Sequence, residues 1–291
     1  MSRLLIVDGH AYAYRAFHAI RELRSPGGQP TNAIFGFVKM LEKMRQAVQP
    51  THLIVVWDGG LSAERLAALP DYKAQRPEMP ADLRPQLDEI VNFLAATGIA
   101  SYRADGVEAD DYIATLARRA AEGWNVVIAS SDKDFMQLVS TRIGLLNPND
   151  KTGTIWGREQ VFAKTGVEPE QVADWLALMG DAVDNIPGVP GVGPKTAAEL
   201  LKQFGSVENL LARLDEVKSE KLQQSLRDAT AAVVRNQKLV RLPAVPCEFV
   251  PEKLAIRPGD RETLRRLYAG WGFKGMLAAL GEPGVKQAEL I

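Results

Sequence analysis

Three short apolar runs, each followed closely by aspartate, constrain the fold of this chain more than any other feature. The runs cover residues 4–7, 53–57 and 126–129. Continuous apolar runs of this length are typical of strands that are buried on both faces of a parallel sheet. Helical periodicity over residues 32–47, 82–97 and 108–122 separates the runs. The alternation predicts an α/β fold with right-handed crossovers.

The acids after these runs are Asp8, Asp58 and Asp132. In an open α/β sheet the site lies outside the carboxyl ends of the strands, and there the three side chains would meet. One aspartate after a strand is commonly only a turn residue or a helix cap. Because three follow one another on the same edge, we interpret them as parts of one site.

Further acids accompany the three. Glu108, Asp110 and Asp111 open the predicted helix 108–122, where a carboxylate also stabilises the helix through its dipole by about 0.3–1 kcal/mol. Other acids at positions where the chain turns toward the same site are Asp134, Asp181 and Asp184. So many carboxylates require a cation, and oxygen-only ligands favour Mg²⁺ or Mn²⁺ over zinc.

Residues 69–80 form a polar stretch with prolines, an aromatic residue and two cations. One interpretation is a solvated loop that precedes a helix. The other is a flexible segment near the carboxylates, in which Tyr72 stacks on a base while Lys73 and Arg76 offer charge to phosphates. The composition does not separate the two.

A second informative stretch covers residues 179–195, between two predicted helices. Gly188, Gly191 and Gly193 permit close approach of a ligand, and the amides at the start of the next helix attract an anion such as a DNA phosphate. Pro194 suits the first position of that helix, and Lys195 adds a cation. The glycines also fit a tight interhelical turn without a ligand.

Composition excludes several classes of function. The 35 Lys and Arg residues balance 36 Asp and Glu residues, so net charge gives no sign of a nucleic-acid partner. The single cysteine, Cys247, excludes an intramolecular disulfide and a cysteine zinc cluster. His10, His18 and His52 match no catalytic pattern. With no membrane-length apolar stretch and no signal peptide, we expect a soluble cytoplasmic protein.

The motifs, in order, resemble the 5′-nuclease domain at the start of bacterial DNA polymerase I and the wider flap endonuclease family. The residues that carry the resemblance are 7–9, 14–16, 72–73, 106–111, 132–134 and 179–197. The resemblance implies an α/β nuclease domain over residues 1–165, with a PIN-like, mostly parallel central sheet, helices on both its faces and a helical arch. It implies a helical subdomain with a helix-three-turn-helix over residues 166–291.

By resemblance, the acids hold two Mg²⁺ or Mn²⁺ ions. Ligands of the first would be Asp8, Asp58, Glu108 and Asp110; those of the second would be Asp132, Asp134 and Asp181, with Asp111 and Asp184 acting through water. Two such ions about 4 Å apart activate water and stabilise the departing oxygen of a phosphodiester. The residues implied near the reaction or in the gateway for the 5′ strand are Arg15, Tyr72, Lys73 and Arg76.

The same resemblance implies DNA binding at the turn, with a potassium ion there. The DNA-binding residues would be Gly188, Gly191, Gly193, Lys195 and Thr196. The implied activity is that of a monomeric, structure-specific 5′ nuclease that removes 5′ flaps and RNA primers and trims 5′ ends. Its partners would be flapped or nicked DNA, RNA–DNA primer junctions and a DNA polymerase.

The chain departs from its relatives after Asp58, where Arg65 is kept but Glu64 replaces a usual phenylalanine, and Ser131 replaces a common glycine. These departures motivate a second hypothesis, a module that binds DNA junctions through residues 180–205 without hydrolysis. A third, a haloacid-dehalogenase-like phosphatase, rests on the spacing of residues 180–184. That phosphatase family requires a second aspartate two positions after the first, and the chain has His10 two positions after Asp8, which counts against this hypothesis.

Overall fold

The structure is a computed structural model, and it describes residues 2–150 and 152–281. Its strands are β1 (Arg3–Asp8), β2 (His52–Val56), β3 (Ala100–Tyr102), β4 (Asn125–Ala129), β5 (Ile143–Leu146), β6 (Ile155–Trp156), β7 (Gly180–Asp181) and β8 (Ile186–Pro187). Its α-helices are α1 (Gly9–Ala19), α2 (Asn32–Val48), α3 (Ala63–Ala68), α4 (Arg84–Ala96), α5 (Ala109–Ala121), α6 (Arg158–Thr165), α7 (Val172–Met179), α8 (Pro194–Phe204), α9 (Val207–Ala212), α10 (Glu220–Asp228), α11 (Thr230–Val240), α12 (Pro251–Leu254), α13 (Arg261–Trp271) and α14 (Lys274–Ala279). Short 3₁₀ helices cover Lys133–Leu138, Pro169–Gln171 and Leu214–Glu216.

The three apolar runs form β1, β2 and β4, as predicted, and the three periodic stretches between them form α2, α4 and α5. The sequence predicts residues 179–195 as a turn between two helices, and the structure shows in addition a pair of short strands within that turn. There β7 and β8 pair antiparallel, with Gly180 opposite Pro187 and Asp181 opposite Ile186. Two residues in each strand are too few to produce a periodic signal.

The chain folds into two compact units. The first comprises the described residues of Met1–Asp8, Val56–Glu78 and Arg103–Phe249. Its strands lie in the order β1-β4-β5-β6, with β4 parallel to both β1 and β5 and with β6 antiparallel at the edge. Residues 4–7 of β1 are completely buried, which explains why the run is apolar at every position instead of alternating. α5 packs against β1 and β4.

The helical part of the first unit begins with α6. α7 and α8 flank the stretch that contains β7 and β8, and α11 packs against α7. Pro194 is the first residue of α8, as predicted, directly after its N-cap Gly193.

The second unit comprises the described residues of Gly9–Val55, Met79–Tyr102 and Val250–Ile291. In it β3 lies beside β2, α2 packs against α1 and α4, and α13 packs against α4. The Phe35 and Phe273 rings meet edge to face with their centroids 5.2 Å apart, and Trp271 donates to Glu89 over 2.9 Å. Within the described ranges, no helix combines the length and apolar character needed to cross a membrane.

Candidate active site

The ends of β1 and β4 connect two of the acidic side chains. Ser130, directly after β4, donates a hydrogen bond from Oγ to Oδ2 of Asp8 over 2.8 Å. The same Oγ accepts a hydrogen bond from the backbone amide of Asp132 over 3.1 Å. Ser130 is completely buried. Both acids are therefore fixed at one edge of the sheet by a single hydroxyl group.

The 3₁₀ helix that follows adds two more acids. Asp132 caps it, because its carboxylate accepts a hydrogen bond from the backbone amide of Asp134 over 2.9 Å. The Oδ1 atom of Asp134 is buried and has no hydrogen-bond partner. Lys133, between them, reaches Oδ1 of Asp181 over 3.0 Å. This short helix therefore connects the sheet edge with the end of β7.

The start of α5 supplies the next acids. Glu108 is its N-cap residue, and Asp110 and Asp111 lie in its first turn. Before the helix, the chain pairs with the stretch that follows Asp58: the Gly59 amide donates to the carbonyl of Val107 over 3.0 Å. Asp58 Oδ1 in turn accepts a long hydrogen bond of 3.4 Å from the amide of Ala109. The two glycines after Asp58 thus bring that acid to the helix start.

A buried arginine holds two of these carboxylates. Arg65 donates from Nη1 and Nη2 to the two carboxylate oxygens of Asp111, over 2.9 and 2.7 Å. Its Nη1 also lies 2.9 Å from Oε1 of Glu108. Burial alone would lower the pKa of Arg65, but the hydrogen bond to Asp111 and the neighbouring negative charges raise it. The guanidinium group therefore stays charged and orients both acids.

A buried lysine and a tyrosine complete the environment of Glu108. Lys73 Nζ lies 2.5 Å from Glu108 Oε2 and 3.9 Å from Asp110 Oδ2. The Tyr72 hydroxyl lies 3.3 Å from the same oxygen of Glu108 and 3.4 Å from Oδ2 of Asp184. Since the Tyr72 side chain is buried, stacking of its ring on a base would require the segment to move.

The segment that contains Tyr72 is fixed to the loop between β7 and β8. The Lys73 amide donates to the carbonyl of Asp184 over 3.0 Å, and Arg76 donates to the Asp184 carboxylate over 2.7 Å. Asn185 donates to the carbonyl of Asp71 over 2.9 Å. Lys73 and Asn185 both have positive φ, at 58° and 56°. Such backbone strain in residues other than glycine is most frequent at functional sites.

Together these residues form what we call the acidic cluster, which consists of Asp8, Asp58, Glu108, Asp110, Asp111, Asp132, Asp134, Asp181 and Asp184. Burial, and then the charge of Asp132, raise the pKa values of Asp110 and Asp134 well above the ordinary aspartate value. The pKa of Asp132 is also raised, by burial and by the charges of Asp184 and Asp181. Burial also disfavours ionised Glu108, but Lys73 and Arg65 lower its pKa. The negative charge around Asp110 and Asp134 is therefore not balanced by the nearby positive side chains.

The acidic cluster fits hard divalent cations by its chemistry. All its donors are carboxylate oxygens, which Mg²⁺ and Mn²⁺ prefer. Asp134 presents a buried oxygen without a partner, and the raised pKa values identify positions where a cation would relieve repulsion. Among residues 2–150 and 152–281, no three acidic, histidine or cysteine side chains already stand in the arrangement of a metal site. Carboxylates turned toward Arg65, Lys73 and Lys133 would have to reorient.

The glycine turn, which we define as residues 180–195, depends on one very close backbone approach. Gly180 has φ of 75°, and a Cβ atom there would lie 2.3 Å from the amide nitrogen of Gly188. A Cβ atom on Gly188 would lie 2.1 Å from the carbonyl oxygen of Met179. Gly188 therefore serves packing within the protein. Asn236, completely buried on α11, donates to the carbonyls of Pro187 and Ala177 over 2.7 and 3.1 Å.

The rest of the glycine turn is open. Cβ atoms on Gly191 and Gly193 would meet nothing within 4 Å, so both positions leave room beside the backbone. Lys195 is exposed and Thr196 half-buried in the first turn of α8, where backbone amides and the helix dipole favour an anion. The predicted residues thus divide into a packed pair of glycines and an accessible helix start.

One predicted residue belongs to the second unit, and three residues that contact the acids were not predicted. Arg15 is exposed on α1, in the second unit. The sequence patterns do not predict Ser130, Arg65 or Lys133 as site residues, although each contacts one of the predicted acids directly. The sequence does contain an indication for Arg65, because this arginine is kept in a segment that otherwise departs from the family pattern. Lys133 had one too, since it lies between two of the predicted acids.

Comparison with known families is consistent with this geometry. A family model described as 5′-3′ exonuclease, N-terminal resolvase-like domain, matches residues 3–166. A second, described as 5′-3′ exonuclease, C-terminal SAM fold, matches residues 167–262.

Curated relatives are similar over nearly the whole chain. A 5′-3′ exonuclease of Aquifex aeolicus is 40% identical over 280 residues, which cover 95% of this chain and 94% of that protein. DNA polymerase I of Bacillus caldotenax is 39% identical over 294 residues, 98% of this chain but 33% of the polymerase. The chain thus spans a third of the length of that relative.

Solved structures share the fold. A bacteriophage T5 flap endonuclease, in a pseudo-enzyme-product complex with DNA and metal ions, aligns with a TM-score of 0.69 and 27% identity over 83% of this chain and 89% of that one. The catalytic core of Rad2, in complex with a DNA substrate, aligns with a TM-score of 0.67 over 96% of this chain and 92% of that one. At 18% identity, the Rad2 core is evidence of the fold alone.

Proposed function

Because the chain belongs to the 5′-3′ exonuclease family, we propose that it is a divalent-metal-dependent, structure-specific 5′ nuclease. It hydrolyses phosphodiester bonds of 5′ flaps, 5′ ends and RNA primers. The observation that carries the proposal is the acidic cluster, in which carboxylates from separate segments crowd until the pKa values of Asp110, Asp132 and Asp134 rise. A site of this kind costs stability and is retained where function requires it.

We assign two Mg²⁺ or Mn²⁺ ions to the cluster, held by the residues that the resemblance implies. Bound there, the ions supply an activated water and charge stabilisation for the departing oxygen. The chain itself orients the acids: Arg65 holds Asp111, Tyr72 holds Glu108 and Ser130 holds Asp8. No side-chain nucleophile is needed in this chemistry.

Lys73 and Arg76 supply positive charge for the phosphates of the 5′ strand. In the DNA-free chain that charge lies against Glu108 and Asp184. Binding of divalent cations at those acids would weaken both ion pairs. The side chains of Lys73 and Arg76 would then be available to DNA. We assign Arg15 to the contact with the 5′ strand on the basis of the resemblance.

The glycine turn binds the duplex beside the reacting end. Its open backbone at Gly191 and Gly193, the amides at the start of α8 and the charge of Lys195 together fit a phosphate. We assign a potassium ion to this turn, where it would supply further positive charge for the duplex. The substrates of this proposal are flapped or nicked DNA and RNA–DNA primer junctions, met by a monomer working beside a DNA polymerase.

The test is cleavage of a 5′-labelled double-flap DNA with Mg²⁺, with EDTA and with the Asp132→Ala variant. We expect one short product that requires the metal and is absent with the variant, while flap binding persists. Cleavage by Asp132→Ala at a near wild-type rate would remove the assignment of the acids. Tight binding by the wild-type chain without cleavage, in Mg²⁺ or Mn²⁺, would identify a junction-binding module instead.

A further inference from the structure

The carboxyl end of α11 is bound by two side chains that are also connected to the acidic cluster, Arg65 and Gln137. A helix leaves its last carbonyl groups without partners inside the helix. Here Arg65 Nε donates to the carbonyl of Leu239 over 3.0 Å, and its Nη2 donates to that of Arg241 over 3.3 Å. Gln137 donates to the carbonyl of Val240 over 3.0 Å. The helix end therefore depends on residues remote in the sequence.

Each of these donors is also connected to a segment that carries acids of the cluster. The same Arg65 guanidinium holds Asp111 and Glu108 at the start of α5. Gln137 lies in the 3₁₀ helix that Asp132 caps. A shift of the end of α11 would thus displace both segments, because the Arg65 side chain is only 7% exposed and has little space in which to adapt.

Other residues of α11 hold the glycine turn. The buried Asn236 donates to Pro187 in β8 and to Ala177 in α7. The next residue, Gln237, donates to the buried carboxylate of Asp174 on α7 over 2.7 Å. Within four residues, α11 changes from a contact with the glycine turn, at Asn236, to a contact with Arg65, at Leu239.

We propose that Arg65 is a positioning residue that couples the acidic cluster to the glycine turn through α11. In this proposal duplex DNA bound at the turn and divalent ions bound at the acids strengthen each other's binding, and linkage requires that the two effects be equal in size. The inference rests on the proposed function, because it needs DNA at the turn and metal at the acids.

Lysine cannot replace arginine in this role. The guanidinium group presents five donors in a rigid plane, so one side chain reaches two carboxylates and two carbonyls at once. Lysine keeps the charge near Glu108 but places three donors on one atom. Arg65→Lys is therefore the informative variant: it retains charge and removes the connection between the acids and α11.

The first measurement is the dissociation constant of a dumbbell duplex by fluorescence anisotropy, with and without Mn²⁺ at constant ionic strength. A dumbbell is closed by a loop at each end, so it has no 5′ end to enter the acidic cluster or to be cleaved. The Asp132→Ala variant gives the effect of Mn²⁺ on duplex binding apart from the cluster. Relative to that baseline, we expect Mn²⁺ to tighten binding to the wild-type chain about fivefold or more.

Two variants interrupt the connection on opposite sides of α11. At Mn²⁺ concentrations that saturate each variant, we expect the effect of Mn²⁺ on duplex binding to return to within about twofold of the Asp132→Ala baseline for both Arg65→Lys and Asn236→Ala. Electron paramagnetic resonance of free Mn²⁺ then measures the Mn²⁺ affinity of each variant without DNA, and this affinity distinguishes the two variants. Arg65→Lys weakens Mn²⁺ binding about tenfold or more, as loss of a group that orients ligands does, whereas Asn236→Ala leaves it unchanged.

The matched control is Arg118→Lys. Arg118 donates to the carbonyl of Leu242 over 2.9 Å, in the same segment after α11, but lies in the last turn of α5, away from its acidic start. It should retain the wild-type effect of Mn²⁺ on duplex binding. Circular dichroism melts establish that every variant is folded before binding is measured.

A wild-type effect of Mn²⁺ in either Arg65→Lys or Asn236→Ala would overturn the inference, as would loss of that effect in Arg118→Lys. The outcome is independent of cleavage. A wild-type chain that cleaves flaps but shows only the baseline effect would refute the coupling alone. A chain that shows the effect without cleaving flaps would refute the proposed function alone.

Discussion

Lys73 and Glu108 form an ion pair in the interior of the first unit, with Nζ 2.5 Å from Oε2 and both side chains no more than 3% exposed. Removing one partner of a buried ion pair typically costs about 3–5 kcal/mol, because the remaining charge stays in a medium of low polarity. Arg65 also neutralises Glu108, so the lower part of that range applies.

We therefore expect Lys73→Met to lower the free energy of unfolding of the metal-free chain by about 3 kcal/mol. Mn²⁺ should restore part of the loss, since it returns positive charge to the same acids. Urea denaturation with and without Mn²⁺ measures both effects. Lys39→Met, at an exposed ion pair with Glu42, serves as the control and should change stability by less than about 1 kcal/mol. Equal effects of the two substitutions would contradict the role given to burial.

Asp134→Asn should stabilise the metal-free chain. The native carboxylate is disfavoured by burial and by its neighbours Asp132 and Asp110, and asparagine removes the charge at nearly the same size. An increase in melting temperature of about 2–4 °C corresponds to roughly 1 kcal/mol in a chain of this size. The same variant should lose the stabilisation that Mn²⁺ gives the wild-type chain, and lose flap cleavage. A lowered melting temperature in EDTA would show that Asp134 is not under repulsion.

Metal binding should strengthen as pH rises. The pKa values of Asp110 and Asp134 are raised in the folded chain, so above the ordinary aspartate pKa the metal-free site still holds protons that a cation must displace. The affinity for Mn²⁺ should rise by up to about tenfold per pH unit for each proton displaced, until these acids ionise. Calorimetric titration across pH provides the measurement, and a flat profile would contradict the raised pKa values.

The stability of the metal-free chain should change with pH in the opposite direction to its affinity for metal. In the same window the folded metal-free chain binds more protons at these two acids than the unfolded chain does, so their contribution to stability falls as pH rises toward the raised pKa values. Asp134→Asn should reduce this dependence. Urea denaturation at several pH values in EDTA tests it.

Gly180→Ala should disrupt the glycine turn. The residue has φ of 75° and ψ of 179°, a conformation that is essentially restricted to glycine, and its Cβ would collide with the Gly188 backbone. We expect a loss of more than about 3 kcal/mol in the free energy of unfolding, with loss of duplex binding. Gly191→Ala is the control: φ is 83° there but the space is open, so it should cost only about 1–2 kcal/mol.

Lys195→Ala should weaken duplex binding uniformly across sequences. Loss of one phosphate contact should make the slope of log K against log salt concentration shallower by about 1. Titrations by anisotropy over a series of salt concentrations give the slope. An unchanged slope would count against contact between the glycine turn and DNA, whereas Lys202→Ala, at the other end of α8, should leave the slope as it is.

The sequence predicts the fold well where local chemistry determines it. Buried strands must be apolar throughout, so β1, β2 and β4 were visible as runs, and Pro194 marked the start of α8 through its missing amide hydrogen. β3 and the β7–β8 pair are not predictable in this way, because strands of two or three residues show no periodic pattern. Their existence depends on pairing with partners that the sequence alone does not specify.

The site was predictable as a set of acids but not as a network. Asp8 and Asp132 could be placed on one edge because strand ends converge. Arg65, by contrast, donates a hydrogen bond to the carbonyl of Leu239, 174 residues away. Because every residue has a backbone carbonyl, the sequence does not indicate which one is the partner. The close approach of Gly180 to Gly188 is likewise not predictable from the sequence, since Gly188 fits a ligand-binding turn equally well.

The contact between Gly180 and Gly188 has a consequence for the length of the chain between them. β7 and β8 pair on either side of residues 182–185, so the hairpin that contains Asp184 is closed at its base by two backbones in direct contact. Surface loops usually accept insertions at little cost. Here one added residue would move Asp184 away from Tyr72 and Arg76, or would separate the two glycines. In this hairpin an insertion or deletion should disturb the acidic cluster more than most point substitutions do. The length of the hairpin is therefore constrained independently of its sequence.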